Sequence, residues 1–316
     1  INPTYFGFVA DLQRIVDIVH ARNIPVIVDE AHGVLMKFHD DLPLSAMQAG
    51  ADMAATSVHK LGGSMTQSSV LNVREGLVSA KRVQTVLSML TTTSTSYPLL
   101  ASLDTARRQL AVHGYDLIDD AVRLAKDTRK RINNINHLYC VGREKLHSSA
   151  TFDMDPLKLL ISVKDLGITG HQAEEWLRHN ANLEVELSDL YNILCLVTLG
   201  DTKKEMNLLV NALQRMSQAF DSEAVVTETN VNVPEIPALA MTPRDAFYAE
   251  TEIVPLKDAH DRISAEFIMI YPPGIPIFIP GEVITQQTID FIQENIAAGL
   301  PVQGLEDDTL QNIRVI

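Results

Sequence analysis

The sequence predicts an α/β protein on a mostly parallel sheet, and two observations carry that prediction. Helical and strand-like patterns alternate through the first part of the chain, and the strand-like runs are uniformly apolar, as in parallel strands flanked by helices. Both clusters of reactive side chains fall at the carboxyl ends of those runs, where open α/β sheets bind their ligands.

The first element is a helix over 11–21. Leu12, Ile15, Val16 and Val19 recur at i, i+3, i+4, i+7 and make one apolar stripe; Asn23 ends it. The run Ile24-Pro-Val-Ile-Val28 is β-branched and apolar, a strand covered on both faces. It delivers Asp29-Glu30-Ala31-His32-Gly33. A helix over 44–49 closes on Gly50, and a strand over 52–56 delivers Ser57-Val58-His59-Lys60. Gly62-Gly63 then breaks the chain before a short return strand over 67–71. The pattern continues with a helix over 77–90, a hydroxyl-rich ordered loop over 91–98, and two long helices, 99–113 and 116–132, split by Gly114.

From about residue 135 short strands and helices alternate, as in a small α+β unit. Strands are expected at 157–163, 183–187 and 191–199. Thr169 with Gln172 fits a capping box and starts a helix to 178. Asp201 and Thr202 start another, with Leu208, Leu209, Ala212 and Leu213 on one side. Residues 218–240 lack any period and read as a linker. The last segment holds Tyr271-Pro-Pro-Gly-Ile-Pro, then a strand and a turn ending in Glu282. The domain expectation is 1–134 for the large-domain part, 135–218 for the small domain, 219–240 for the linker and 241–316 for a C-terminal segment.

Composition narrows the function classes. Across 316 residues, 46% apolar and 21% charged is an ordinary globular balance. A net charge of −14 disfavours nucleic acid as a partner, since such binders carry a basic face. Cys140 and Cys195 cannot form a disulfide framework and no CxxC occurs, which disfavours structural zinc and suits a reducing, cytoplasmic setting with both thiols buried. No apolar run is long enough to span a membrane, and no signal peptide opens the chain. The opening Ile1-Asn-Pro-Thr-Tyr-Phe-Gly reads as the inside of a domain, so the expectation is the carboxyl-terminal part of something longer, or a processed product.

Three readings compete for the first cluster. Asp-Glu after a strand can be a helix N-cap, with His32 a structural histidine. An apolar strand ending in Asp-Glu-Ala-His also resembles the metal-holding acids of a motor ATPase, but no GxxxxGK[ST] loop is present. The third reading joins both strand ends. Pyridoxal-phosphate (PLP) catalysis needs an amine to hold the aldehyde as a Schiff base, and an anion to keep the pyridine nitrogen protonated. Lys60 suits the first role and Asp29 the second.

Taken together, Val28-Asp-Glu-Ala-His-Gly33, Ser57-Val-His-Lys60, Thr66-Gln-Ser-Ser69, Met154-Asp-Pro-Leu-Lys158, Leu166-Gly-Ile-Thr-Gly170, Glu186-Leu-Ser-Asp-Leu-Tyr191 and Pro280-Gly-Glu282 resemble the Orn/Lys/Arg decarboxylase family of PLP fold type I, and most closely its shorter arginine-directed bacterial members. The resemblance spans nearly the whole chain. It implies a fold type I large domain, a small α+β domain and a C-terminal α+β segment. It implies Lys60 as the Schiff-base lysine and Asp29 at the pyridinium nitrogen. Ala31 would pack against the ring, His32 would line the site, and Ser57 and His59 would contact the phosphate or the reacting carbon. Either His59 or Lys60 would return the proton to Cα. Glu282 would lie near the substrate's distal cation, with Asp189 a second candidate. The implied activity is α-decarboxylation of a basic amino acid, arginine first and lysine or ornithine as alternatives, toward polyamines. A homodimer or higher homo-oligomer is implied, and metal and membrane partners are not. Another fold type I activity, an aminotransferase or oxoamine synthase, and a non-catalytic fragment remain as alternatives. Two departures stand out: the family's phosphate-cradling glycine/serine loop and ring-stacking histidine should precede Ile1, and Thr95 stands where the family usually has proline.

Overall fold

A computed structural model describes residues 1–146, 151–220, 234–270, 274–297 and 302–316. They fall into two units, 1–186 with 191–220, and 187–190 with 234–316.

The first unit opens on β1 (Phe8–Val9), which pairs antiparallel with β6 (Asp153–Met154). Segments this short show no periodicity, and neither was expected from sequence. Helix α1 (Leu12–His20) is capped by the Asp11 carboxylate, which accepts from Arg14 N. Leu12 and Val16 reach the core, but Ile15 on the same stripe is largely exposed. Strands β2 (Ile27–Asp29) and β3 (Met53–Thr56) pair in parallel with Asp29 opposite Ala55. β4 (Val70–Val73) returns antiparallel to β3. This sheet is therefore mixed where the sequence predicts mostly parallel pairing. A parallel return usually carries a helix laid across the sheet, whereas the only helix between β3 and β4 is the four-residue α2 (Val58–Leu61).

Two further expectations are corrected here. Val28 and Ala54 pack with Leu12, Val16 and Ala51, yet Ile27 is 66% exposed. In this chain Val28 faces the covered side of β2, and Ile27 and Asp29 face the other side and are exposed, an alternation that a uniformly apolar run does not report. The helix expected at 44–49 is a run of turns. There Gln48 Oε1 accepts from both Ser45 N and Ser45 Oγ, and Gly50 adopts φ +95°.

Helix α3 (Ala80–Leu90) is capped by Ser79. The two helices expected around Gly114 are one 36-residue helix, α4 (Tyr97–Ile132), with Pro98 in its first turn. Gly114 is buried against Phe38, so tertiary packing holds a residue that would weaken an isolated helix. Beyond α4 come β5 (Tyr139–Cys140), β7 (Lys158–Ser162), α5 (Gly170–Ala181), β9 (Asn192–Leu196) and α6 (Lys203–Ala219), while the short β8 (Leu187–Ser188) belongs to the segment assigned to the second unit. β5, β7 and β9 form an antiparallel run. Both α5 and α6 start with full capping boxes, Thr169 with Gln172 and Thr202 with Glu205. On α6, Leu209, Ala212 and Leu213 turn inward while Leu208 stays exposed. Ile118, Val122 and Ile132 of α4 share one core with Leu159, Ile161 and Ile193 of this sheet. Cys140 and Cys195 are buried here, and burial pushes their thiols up to about 11 and about 12.

The second unit holds α7 (Pro243–Tyr248), β10 (Glu252–Pro255), β11 (Ile268–Ile270), β12 (Ile275–Phe278), α8 (Gln286–Ala297), β13 (Val302–Gln303) and β14 (Asn312–Val315). β11 pairs antiparallel with β12 and β13, and β10 with β14, over a core that includes Ile268, Phe278, Ile289 and Val315. Most of the expected linker (221–233) and residues 271–273 of the proline-rich turn lie outside the described residues.

Candidate active site

Side chains alternate across a strand, and at the end of β2 this sorts the two acids. Glu30 goes to the covered face. It is 3% exposed, accepts from Ala46 N at 2.5 Å and from the Thr56 hydroxyl at 3.3 Å, and burial pushes its carboxyl above the usual range. That is a structural acid. Asp29 goes to the open face, exposed, with Oδ1 accepting from Ala31 N at 3.0 Å. The turn so formed holds Asp29 and half-buried Ala31 in place at the strand's end. The carboxylate keeps lone pairs for a ligand.

On the neighbouring strand end, α2 supplies Ser57 at its N-cap, then His59 and Lys60. Ser57 O accepts from Lys60 N at 3.3 Å. His59 Nδ1 lies 2.7 Å from Ser68 O. A carbonyl only accepts, so Nδ1 carries the proton of this hydrogen bond. The parallel pairing of β2 with β3 thus puts Asp29 and the Ser57–Lys60 turn at the same end of adjacent strands.

Lys60 does not stand alone. Its Nζ lies 3.2 Å from His32 Nε2, and Lys158 Nζ lies 2.9 Å from His32 Nδ1. The His32 ring packs on Tyr5 at 4.4 Å between centroids, with both lysine nitrogens over the Tyr5 face at 5.8 and 5.5 Å. Tyr5 donates its hydroxyl hydrogen to Glu186 Oε1 at 2.6 Å. His32 is pushed down to about 3 by burial and then by the charges of Lys158 and Lys60, so its ring is neutral. Lys158, with 0% exposure, is pushed down to about 8 by burial against the pull of Asp155 and Glu186. Burial also raises the Asp155 carboxyl, opposed by Leu157 N–H and Lys158.

The structure thus brings together Lys60 and His32, and sets Asp29, Ala31, Ser57 and His59 around the same strand ends. Glu282 lies in the second unit, where its carboxylate accepts from Ile279 N at 2.9 Å; Asp189 is in that unit also. Tyr5, Lys158 and Glu186 were missed as site residues. For Lys158 a signal existed: a lone cation inside the apolar run Leu157–Val163 must find a buried partner. Among the described residues no group of three His, Cys, Asp or Glu is placed to hold a metal, and no helix is long and apolar enough to cross a membrane.

The scaffold is a known one. It superposes on a lysine decarboxylase from Francisella novicida with a TM-score of 0.81, covering 100% of this chain and 56% of that one at 23% identity; this defines the chain as an α/β protein of the decarboxylase fold. Its sequence matches the major domain of the Orn/Lys/Arg decarboxylases over residues 1–205 and their C-terminal domain over 226–309, and the chain belongs to that family. It is 64% identical over 317 aligned positions to an arginine decarboxylase of Bacillus anthracis and 63% identical to one of Bacillus subtilis. Each match covers 100% of this chain but only 64% and 65% of the relative, so the chain spans just under two thirds of their length.

Proposed function

We propose that this chain carries the lysine- and acid-bearing part of a PLP-dependent decarboxylase that converts arginine to agmatine and CO2. One observation carries the reading: Asp29 and Lys60 stand at the same end of two parallel strands, one on an open face and one reaching a neutral buried histidine. The residues fit the cofactor. Asp29 offers an exposed carboxylate for the pyridinium nitrogen, an interaction of about 1.5–3 kcal/mol as a charge-assisted hydrogen bond. Lys60 offers the amine for the aldehyde, and Ala31 offers a small surface for a ring. PLP, when bound, supplies an aldehyde and an electron-accepting ring. The chain's own part is to hold that ring's charge with Asp29, to keep Lys60 beside a proton acceptor, and to hold His59 through its Nδ1–H on Ser68 O, with His59 or Lys60 returning the proton to Cα. Arginine as substrate rests on the names of the relatives at 64% and 63% identity. Glu282 and Asp189 are the acids offered for the distal guanidinium, where a carboxylate can bind in bidentate fashion. We extend the proposal to a homo-oligomer, with the 93–97 loop approaching a second subunit, and to residues 1–134 as the cofactor-holding part.

Two lysines meet at His32, so the anchor is directly testable. PLP is added, fixed with borohydride and located by peptide mass spectrometry. The adduct is expected on Lys60 and absent in Lys60→Ala. An adduct on Lys158 would reassign the anchor. With arginine, lysine and ornithine offered together, agmatine is the expected amine; cadaverine or putrescine in its place would refute the substrate choice.

A further inference from the structure

A neutral imidazole has one nitrogen that donates and one that accepts. His32 is 6% exposed and has a lysine nitrogen within hydrogen-bond reach of each ring nitrogen. Both lysines cannot be ammonium and both be hydrogen-bonded to a neutral His32. The lysine facing the ring N–H must accept as a free amine, while the other donates to the unprotonated nitrogen and can do so as ammonium. We infer that Lys60, His32 and Lys158 form a relay that holds one proton between the two lysines, so that the buried Lys158 takes the proton whenever Lys60 acts as a neutral amine.

The proton count balances without any further reactant. In one state Lys60 ammonium donates to Nε2, and Nδ1–H donates to the Lys158 amine. In the other the Lys60 amine accepts from Nε2–H, and Lys158 ammonium donates to Nδ1. One proton leaves Lys60, one arrives at Lys158, and His32 changes tautomer. The surroundings suit this use. Lys158 starts β7, fully buried, so its charge is confined to His32 and the acids facing it: Asp155 before the strand and Glu186 beyond α5, the latter also held by Tyr5. Arg129 of α4 donates to Lys158 O at 2.7 Å and fixes the backbone that carries the side chain. Gly7 leaves the space for its stem: a Cβ there would stand 2.8 Å from Lys158 Cγ. His32 is in turn held against Tyr5. A lysine that must form a bond to an aldehyde carbon has to be unprotonated to do so, and a store for its proton one residue away meets that need. Lys158 acts through His32 and is a positioning residue. This purpose rests on the reading of Lys60 as the reactive amine, whereas the relay itself can be tested without cofactor.

The test is pulsed labelling of the cofactor-free chain with acetic anhydride, with the rate at Lys60 read by peptide mass spectrometry. At about pH 7.5, Lys158→Met is expected to slow Lys60 labelling at least about five-fold, and His32→Phe to slow it similarly. The double variant should be no slower than either single one, because the three groups act as a unit. At about pH 10.5, where lysines deprotonate unaided, all variants should label within about two-fold of the parent; this separates proton storage from a change in access. An unchanged Lys60 rate at the lower pH in Lys158→Met, or an equal loss at both pH values, would overturn the relay. Because a substitution at Lys158 can unfold the core, nitrogen-15 histidine NMR of the unmodified chain gives an independent readout. A neutral His32 averaging two tautomers is expected, and one fixed tautomer from about pH 6 to 9 would refute the proposal.

Discussion

Replacing Gly7 with alanine tests the packing that places Lys158. Gly7 adopts φ +95°, and a Cβ there would meet Lys158 Cγ at 2.8 Å and Cβ at 2.9 Å. Two costs follow. A side chain at such a left-handed φ costs roughly 1–2 kcal/mol. The clash falls on the root of a fully buried side chain, which cannot swing aside as an exposed tip would, and overpacking of that kind costs about 1–3 kcal/mol. Together Gly7→Ala should lose about 2–5 kcal/mol, a large part of a typical domain's stability. The backbone adds to this, because Gly7 O accepts from Asp155 N at 2.9 Å and any shift there disturbs the β1–β6 pairing next to it. Urea unfolding measures the change, with the midpoint expected to fall at constant slope. A loss under about 1 kcal/mol would show that the Lys158 stem has room the structure denies it, and the reasoning about its confinement would fail.

Gly114→Ala has the opposite expected sign. Its new Cβ would lie 3.5 Å from Phe38 Cβ, ordinary van der Waals contact, in the middle of a continuous helix. A gain of up to about 1 kcal/mol in urea unfolding is expected; a clear loss would argue for a break at that residue. Acid dependence tests His32, whose folded value of about 3 is depressed from the ordinary 6.5. A depressed histidine means that the unfolded chain binds the extra proton, so its contribution is fully present above about pH 6.5 and is lost as pH falls toward 3. Between about pH 6 and 4 the difference in stability between the parent and His32→Gln should change by about 1.4 kcal/mol per pH unit. Parallel curves would show that His32 takes up its proton in the folded state.

The sequence by itself determined what local spacing can encode. The capping box at Thr169 and the helix start at Thr202 are as read, because a cap is settled within four residues. The acid and the lysine at successive strand ends are likewise local, each a strand followed by its own turn. Only the tertiary structure decided which of two adjacent acids faces outward, since alternation needs a known covered face before it assigns Glu30 inward and Asp29 outward. Only packing against Phe38 kept α4 whole through Gly114. The exposure of Ile27 belongs to the same kind, because an apolar run does not itself report which of its faces is covered. The Lys60–His32–Lys158 cluster is the furthest from local reading. His32 and Lys158 are 126 residues apart, and no period along the chain links them. Their meeting depends on β7 running beside the strand-end turn, with the absence of a Cβ at Gly7 making room for the second lysine.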